Sequence, residues 1–261
     1  MSVIGHCKRL FVAIRSILFV QSRCRVELQQ DIHLVDGVVC NVYLIVESDG
    51  VTIIDTGMPG RGGAVVAYLG KLGRSVHDVR HILLTHQHPD HIGNADSLST
   101  RSGAQITAHP ADAPAIEGKA PRELPNSFVM RSMLNLLFVW RLKPLQVGNQ
   151  VRAGQTLPIL AGEGGLQVIE TPGHTTGHIS FYLPGRKLLF AGDAYRHSNG
   201  NLVPPPRVYN HDTPEALRSM AILTDYEIEA SLPGHGAPIL TDAGAKLGEA
   251  VAQIQGTELR E

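Results

Sequence analysis

Thr85-His86-Gln87-His88-Pro89-Asp90-His91 follows a short run of buried-strand character, residues 80–85 (RHILLT). Three imidazoles and a carboxylate fall within six residues. With His and Asp each near one residue in about twenty, a chance H-x-H-x-D-H match in a chain of this length has a probability of roughly 0.002. A lone histidine is usually a satisfied packing residue. Three of them with an aspartate, in a proline-containing loop at a strand end, form a ligand set for zinc or a related first-row metal. Alternate residues of an extended loop can converge on one point, which pairs His86 with His88. Asp90 and His91 point elsewhere and suit a second ion, and two ions with open positions need ligands from later in the chain.

The later chain offers three. His174 sits in Thr171-Pro-Gly-His-Thr175, Asp193 in Phe190-Ala-Gly-Asp193, and His235 in Leu232-Pro-Gly-His-Gly236. Each is a metal-capable side chain at a strand or loop end, with a glycine beside it that lets the backbone approach closely. His178 is a candidate supporting donor, four residues beyond His174. His6, His33, His77, His81, His109, His197 and His211 have no ligand context and read as surface or packing residues.

The chain has 261 residues, 43% of them apolar and 18% charged, with a formal net charge of −1. That is enough for one large domain or two small ones. The even charge balance argues against a chain built to hold nucleic acid and against long disorder. No apolar run approaches the roughly 20 residues of a stable membrane span. Cys7, Cys24 and Cys40 form no metal cage or disulfide framework and suit a reducing compartment. Residues 1–25 stand apart: Lys8 and Arg9 precede an apolar stretch that Arg15 interrupts. They read as an N-terminal extension of uncertain role, with a cytoplasmic location expected and export the alternative.

From residue 26 onward the pattern is regular. Residues 38–46 (VVCNVYLIV) and 51–54 (VTII) read as strands joined by a hairpin at 47–50. Residues 63–73 have helical spacing, and further strands are expected near 166–171 (LQVIET), 179–183 and 187–191. Thr213 followed by Pro214 reads as the cap and first position of a helix running to about 223. Alternating strands and helices predict sheets covered by helices, an α/β layered fold. Residues 110–145 break the alternation as a helical insertion. Within it, 128–142 (FVMRSMLNLLFVWRL) predicts a helix apolar around most of its circumference, which must be covered by the core, by serving as a substrate lid, or by a second subunit in a homodimer.

In motif order the chain resembles the metallo-β-lactamase superfamily across residues 26–261, in its glyoxalase II and lactonase-like branch. Asp55-Thr-Gly57, the 85–91 segment, Pro172-Gly-His-Thr175, Gly192-Asp193 and Pro233-Gly-His-Gly236 resemble its five successive motifs. The resemblance implies a four-layer αββα sandwich with a dinuclear site at one edge. His86, His88 and His174 would hold the first metal; Asp90, His91 and His235 would hold the second, and Asp193 would bridge them. Asp55 resembles the family's aspartate that orients a ligand. The implied cofactor is two divalent ions, Zn2+ first and Fe or Mn as alternatives. The implied chemistry is attack by a metal-bridging hydroxide on a small ester, lactone or thioester, with Asp90 orienting it and moving its proton. Within the family the bridging aspartate marks thioesterases, lactonases and phosphodiesterases, whereas true β-lactamases usually lack it. Tyr195 is similar to a tyrosine of acyl-homoserine lactonases that donates to the substrate carbonyl, although here it stands one residue closer to the aspartate. Alternatives are a non-haem iron persulfide dioxygenase-like enzyme, a phosphodiesterase or nuclease, and a β-lactamase. The expected partner is a small-molecule substrate and not nucleic acid, and pocket walls are expected from loops 58–63, 110–145 and 196–211.

Overall fold

The computed structural model describes residues 26–36, 38–123, 132, 136 and 142–258. Two β-sheets form the middle of the fold. Strands β1 (Val26–Gln29), β2 (Ile32–Val35), β3 (Val42–Val46), β4 (Val51–Ile54), β5 (Val79–Leu83), β6 (Gln105–Ala108) and β7 (Asn149–Gln150) form one sheet in chain order. Strands β8 (Thr156–Leu157), β9 (Leu166–Glu170), β10 (Ile179–Leu183), β11 (Leu188–Gly192) and β14 (Ala230–Pro233) form the second, in the order β14-β11-β10-β9-β8. A short ribbon, β12 (Arg196–Ser198) with β13 (Asn201–Val203), follows β11.

The period-two alternation of side chains sorts residues into three cores. In β3, Val42 and Leu44 face the outer core of the first sheet, while Tyr43 and Ile45 face the second sheet. In β11, Leu188 and Phe190 point into the same inter-sheet core, and Leu189 and Ala191 point outward into a third. Helices α1 (Gly62–Lys71) and α3 (Ala95–Ser102) cover the first sheet through Val65, Leu69 and Leu98. Helices α5 (Thr213–Ile222) and α6 (Ala243–Glu258) cover the second through Met220 and Leu247. The result is the four-layer αββα sandwich expected from the sequence. Each large apolar side chain so covered contributes roughly 1.5–3 kcal/mol.

Two local readings change. Only Val42–Val46 of the expected strand 38–46 is in the sheet. Val39 takes φ +79°, and the Asn41 side chain donates to the carbonyls of Pro233 (2.8 Å) and Gly236 (2.7 Å), so this segment leaves the sheet to fasten the two halves together. The cap of α5 is Asp212 and not Thr213: its side chain accepts from the Glu215 backbone N–H at 2.9 Å. Of residues 128–142, only Ser132, Leu136 and Leu142 are described, so the lid and dimer expectations lie outside the described residues. Among the described residues no helix is long and apolar enough to cross a membrane.

Candidate metal centre

Strand direction brings the chemistry to one edge. β4 and β5 run parallel, as do β11 and β14, and β9 runs with β11 because both are antiparallel to β10. Asp55, the 85–91 loop, His174, Asp193 and His235 therefore follow strand ends at the same edge. Helix α2 (Pro89–Ile92) completes the second motif, and the short helix α4 (Ala113–Ile116) follows Asp112. The sheets are tied there by backbone bonds from Ile179 N–H to the Thr85 carbonyl (2.9 Å) and from Asn41 N–H to the Gly234 carbonyl (2.7 Å).

Three imidazoles make the first nest. His86 Nε2 lies 3.1 Å from His88 Nδ1, which lies 3.0 Å from His174 Nε2. Their remaining nitrogens fix the tautomers. His88 Nε2 faces the Glu123 carbonyl at 3.0 Å, and His174 Nδ1 faces Asn210 Oδ1 at 2.9 Å, so both of these nitrogens donate. Thr85 Oγ1 gives its hydrogen to Asp55 Oδ2 (2.8 Å) and is left to accept from His86 Nδ1 (3.0 Å). Three lone pairs therefore converge on one point. Nitrogens bound to one tetrahedral zinc at about 2.0–2.1 Å would be about 3.3 Å apart, so the nest fits a cation. Burial, followed by the neighbouring imidazoles, holds His86 far below the usual histidine range. Burial and His174 similarly push His88 down to about 3, so His86 and His88 are neutral and ready to ligate.

The second nest is built differently. His235 Nε2 lies 3.2 Å from Asp90 Oδ2 and 3.4 Å from His91 Nε2. His91 Nδ1 bonds Asp55 Oδ2 at 2.7 Å, which turns Nε2 to the nest. Burial opposes charge on His91, but the carboxylates of Asp193, Asp55 and Asp90 outweigh it and raise the imidazole to about 10. Burial would raise Asp90; His91 and His235 overcome it and hold the carboxyl below the usual range.

Asp193 stands between the nests. Its Oδ2 is 3.4 Å from His174 Nε2 and 3.5 Å from His235 Nε2, and its Oδ1 is 3.5 Å from His91 Nε2. Oδ1 is buried and has no hydrogen-bond partner among the described residues, the kind of orphan acceptor that a cation completes. Gly234 gives it room: a Cβ there would lie 2.2 Å from Asp193 Oδ1. The candidate ligands group as His86/His88/His174, His86/His91/Asp193 and Asp90/His91/His235, with ligand atoms within 4.8 Å of one another in each. All seven residues singled out in the sequence are brought together.

The sequence profile of the metallo-beta-lactamase superfamily matches residues 35–235. The chain belongs to that superfamily. Proteins of the metallo-beta-lactamase superfamily bind divalent metals, usually two, and the two nests suit that habit. A Bacillus subtilis protein named probable metallo-hydrolase YflN is 29% identical over 242 residues, covering 84% of this chain and 89% of its own. The hydroxyacylglutathione hydrolase of Rhodobacter capsulatus is 35% identical over 116 residues, which is 44% of this chain and 34% of that enzyme. Among solved structures, a superfamily member from Thermus thermophilus superposes with a TM-score of 0.66 at 28% identity, covering 88% of this chain and 81% of that one. A Cronobacter sakazakii metallo-beta-lactamase has a TM-score of 0.70 at 21% identity over 93% of this chain and 95% of that one, a likeness of fold.

One expected residue departs. The Tyr195 side chain is fully buried within the outer core of the second sheet, and its hydroxyl bonds Ser231 Oγ at 2.7 Å. It faces away from the nests, so a role in donating to a substrate carbonyl is corrected to a structural one. His178 is placed behind Asp193: its Nε2 accepts the Asp193 backbone N–H at 2.9 Å while Nδ1 meets Thr171 Oγ1 at 2.8 Å.

The sequence reading missed two supports. Asn210 orients His174. Asp112 accepts from the Gln87 backbone (2.9 Å), Gln87 Nε2 (3.1 Å), Thr175 Oγ1 (2.8 Å) and the Gly177 backbone (2.8 Å), which locks the second and third motif loops together. A lone acid flanked by alanines in Pro110-Ala-Asp-Ala-Pro114 was the available signal.

Proposed function

We propose that the protein is a dinuclear metal-dependent hydrolase that cleaves a small carboxylic ester, lactone or thioester. Residues 26–261 are taken as its catalytic domain, His86, His88, His174, Asp90, His91, His235 and Asp193 as its ligands, and zinc as its metal. The observation that carries this reading is Asp193, whose carboxylate reaches both nests, with Oδ2 between His174 and His235 and Oδ1 beside His91, and whose Oδ1 has no hydrogen-bond partner among the described residues. Two ions so held supply Lewis acidity and lower the pKa of nearby water. Asp90, with a side chain 25% exposed against 11% for Asp193, reaches the open side. Its carboxylate orients the attacking water and carries the proton to the leaving group. His88 and His174 are held by Glu123 and Asn210, so the nests need little rearrangement in the reaction.

The partial likeness to a hydroxyacylglutathione hydrolase favours acyl over phosphoryl substrates. The test is a panel of lactones, thioesters, β-lactams and phosphodiesters, run beside elemental analysis. Acyl hydrolysis with about two ions per chain is expected. Phosphodiester cleavage alone, or one ion at saturation, overturns the reading.

A further inference from the structure

Asp112 and Glu123 both come from the stretch 110–145, which the sequence sets apart as an insertion. Asp112 is buried and grips Gln87, Thr175 and Gly177. Glu123 grips the residues between. Its backbone N–H donates to Gln87 Oε1 at 3.0 Å, and its carbonyl accepts from His88 Nε2 at 3.0 Å. Its carboxylate accepts from the Thr176 backbone N–H at 2.9 Å and from Thr176 Oγ1 at 2.6 Å. His211 Nδ1 stands 3.7 Å from the same carboxylate, on the turn whose Asn210 orients His174. Every polar group of Glu123 is thus engaged by the loops that carry and support His88 and His174.

The two halves of this residue do different things. His88 turns Nδ1 to the first nest only while Nε2 keeps the proton, and a carbonyl, which can accept but not donate, holds it there. A backbone carbonyl is only as fixed as the segment that bears it. The carboxylate supplies the fixing, because it takes two charge-assisted bonds from Thr176, two positions beyond His174. His86 leans on Thr85 and His91 on Asp55, residues that follow strands of the first sheet. His88 leans instead on a carbonyl from the insertion. His88 Nδ1 and His174 Nε2 stand 3.0 Å apart, a spacing that a shift of that carbonyl against Thr176 would open.

We propose that Glu123 is a positioning residue of the first nest: its carboxylate clasps Thr176 so that its carbonyl holds His88 with Nδ1 turned to the metal. The insertion is then a working part of the metal centre. This rests on the metal reading of the nest and not on the substrate class.

The test uses full-length protein, metal-free and loaded with Co2+. In metal-free protein, 15N NMR of the imidazoles should show His88 protonated at Nε2, and Glu123→Ala should shift it toward a mixture of tautomers. In the loaded protein, an ion held by three imidazoles and one held partly by the Asp90 carboxylate absorb differently, so each nest is titrated separately against a chelator. Glu123→Ala should weaken the first nest about 10–100-fold and leave the second little changed. Thr176→Val, which keeps the N–H but loses the hydroxyl, should weaken it by less. Thr176→Ser keeps both donors and should retain most of the affinity. An unmoved tautomer, an unchanged first nest or an equal loss at both nests in Glu123→Ala overturns the proposal. So does a Thr176→Ser protein as weak as Thr176→Val, because lost packing would then explain both.

Should Glu123→Ala fail to fold, Glu123→Gln decides. Its amide can accept only one of the two Thr176 bonds, so an intermediate loss confined to the first nest supports the clasp, and no loss or a shared one overturns it. The acyl substrates of the panel are run in parallel. Turnover of none of them, with the first-nest response intact, overturns the hydrolase reading and leaves the clasp standing. Turnover with no such response does the reverse.

Discussion

Asp55 Oδ2 lies 2.7 Å from His91 Nδ1, although Asp55 ends a strand of the first sheet and His91 stands 36 residues later in the motif loop. Both oxygens of Asp55 are occupied by donors, the second set being the Thr85 N–H and hydroxyl. Asp55→Asn would set an amide N–H against one of them. Support of this kind typically matters by 10–100-fold in metal affinity, so the variant should keep its first ion and bind the second about that much more weakly. Competition with a calibrated chelator measures it, and unchanged affinity for both ions would refute the role given to Asp55.

Asp90→Asn should lower turnover by a factor on the order of 10² or more with the fold intact. Circular dichroism and single-turnover rates on metal-loaded protein check this. Near-normal turnover would remove Asp90 from the mechanism.

Gly234→Ala pushes a methyl group against Asp193 Oδ1, where a Cβ would sit at 2.2 Å. The carboxylate must move, so the two ions should no longer load together. Elemental analysis is expected to fall from about two ions per chain toward one, with a smaller loss of melting temperature. Full loading would mean that Asp193 does not need its observed position.

Proton release should differ between the two ions. In the first nest His86 and His88 already present neutral nitrogens, His88 being pushed down to about 3 by burial and His174. His91, raised to about 10 by the carboxylates that outweigh its burial, carries its extra proton below that pH and must give it up to ligate. The second equivalent of metal should thus release protons near neutrality, and its apparent affinity should rise about tenfold per pH unit for each proton displaced, up to the raised pKa. Calorimetry in buffers of different ionisation enthalpy reads this directly. Equal release by both equivalents would contradict the assignment.

Tyr195→Phe should leave turnover intact and lower stability by about 1 kcal/mol, because the partner Ser231 hydroxyl loses one neutral bond. Thermal melts and initial rates distinguish this from a catalytic loss.

The ligands were legible because they lie in short, dense motifs: four within His86–His91, the others beside glycines at strand ends. The alternation of strand-like and helix-like segments after residue 26 made the layered fold readable as well. The supports were not legible. Asn210 and Asp112 act from loops far away in sequence, and only the folded chain brings them to His174 and Gln87. Tyr195 misled because spacing from Asp193 says nothing about the face to which a side chain turns. Residues 38–41 looked like strand by composition, but Asn41 is drawn to Pro233 and Gly236 across the molecule.

The first sheet is complete by Gln150 and the second begins at Thr156, so each half of the chain folds into its own sheet. The candidate ligands are divided in the same way: His86, His88, Asp90 and His91 come from the earlier half, His174, Asp193 and His235 from the later. A cut in the turn at 152–155 would therefore yield two fragments, neither holding a full set. Metal would act as the glue for reassembly, and the halves would report on free divalent ion by coming together.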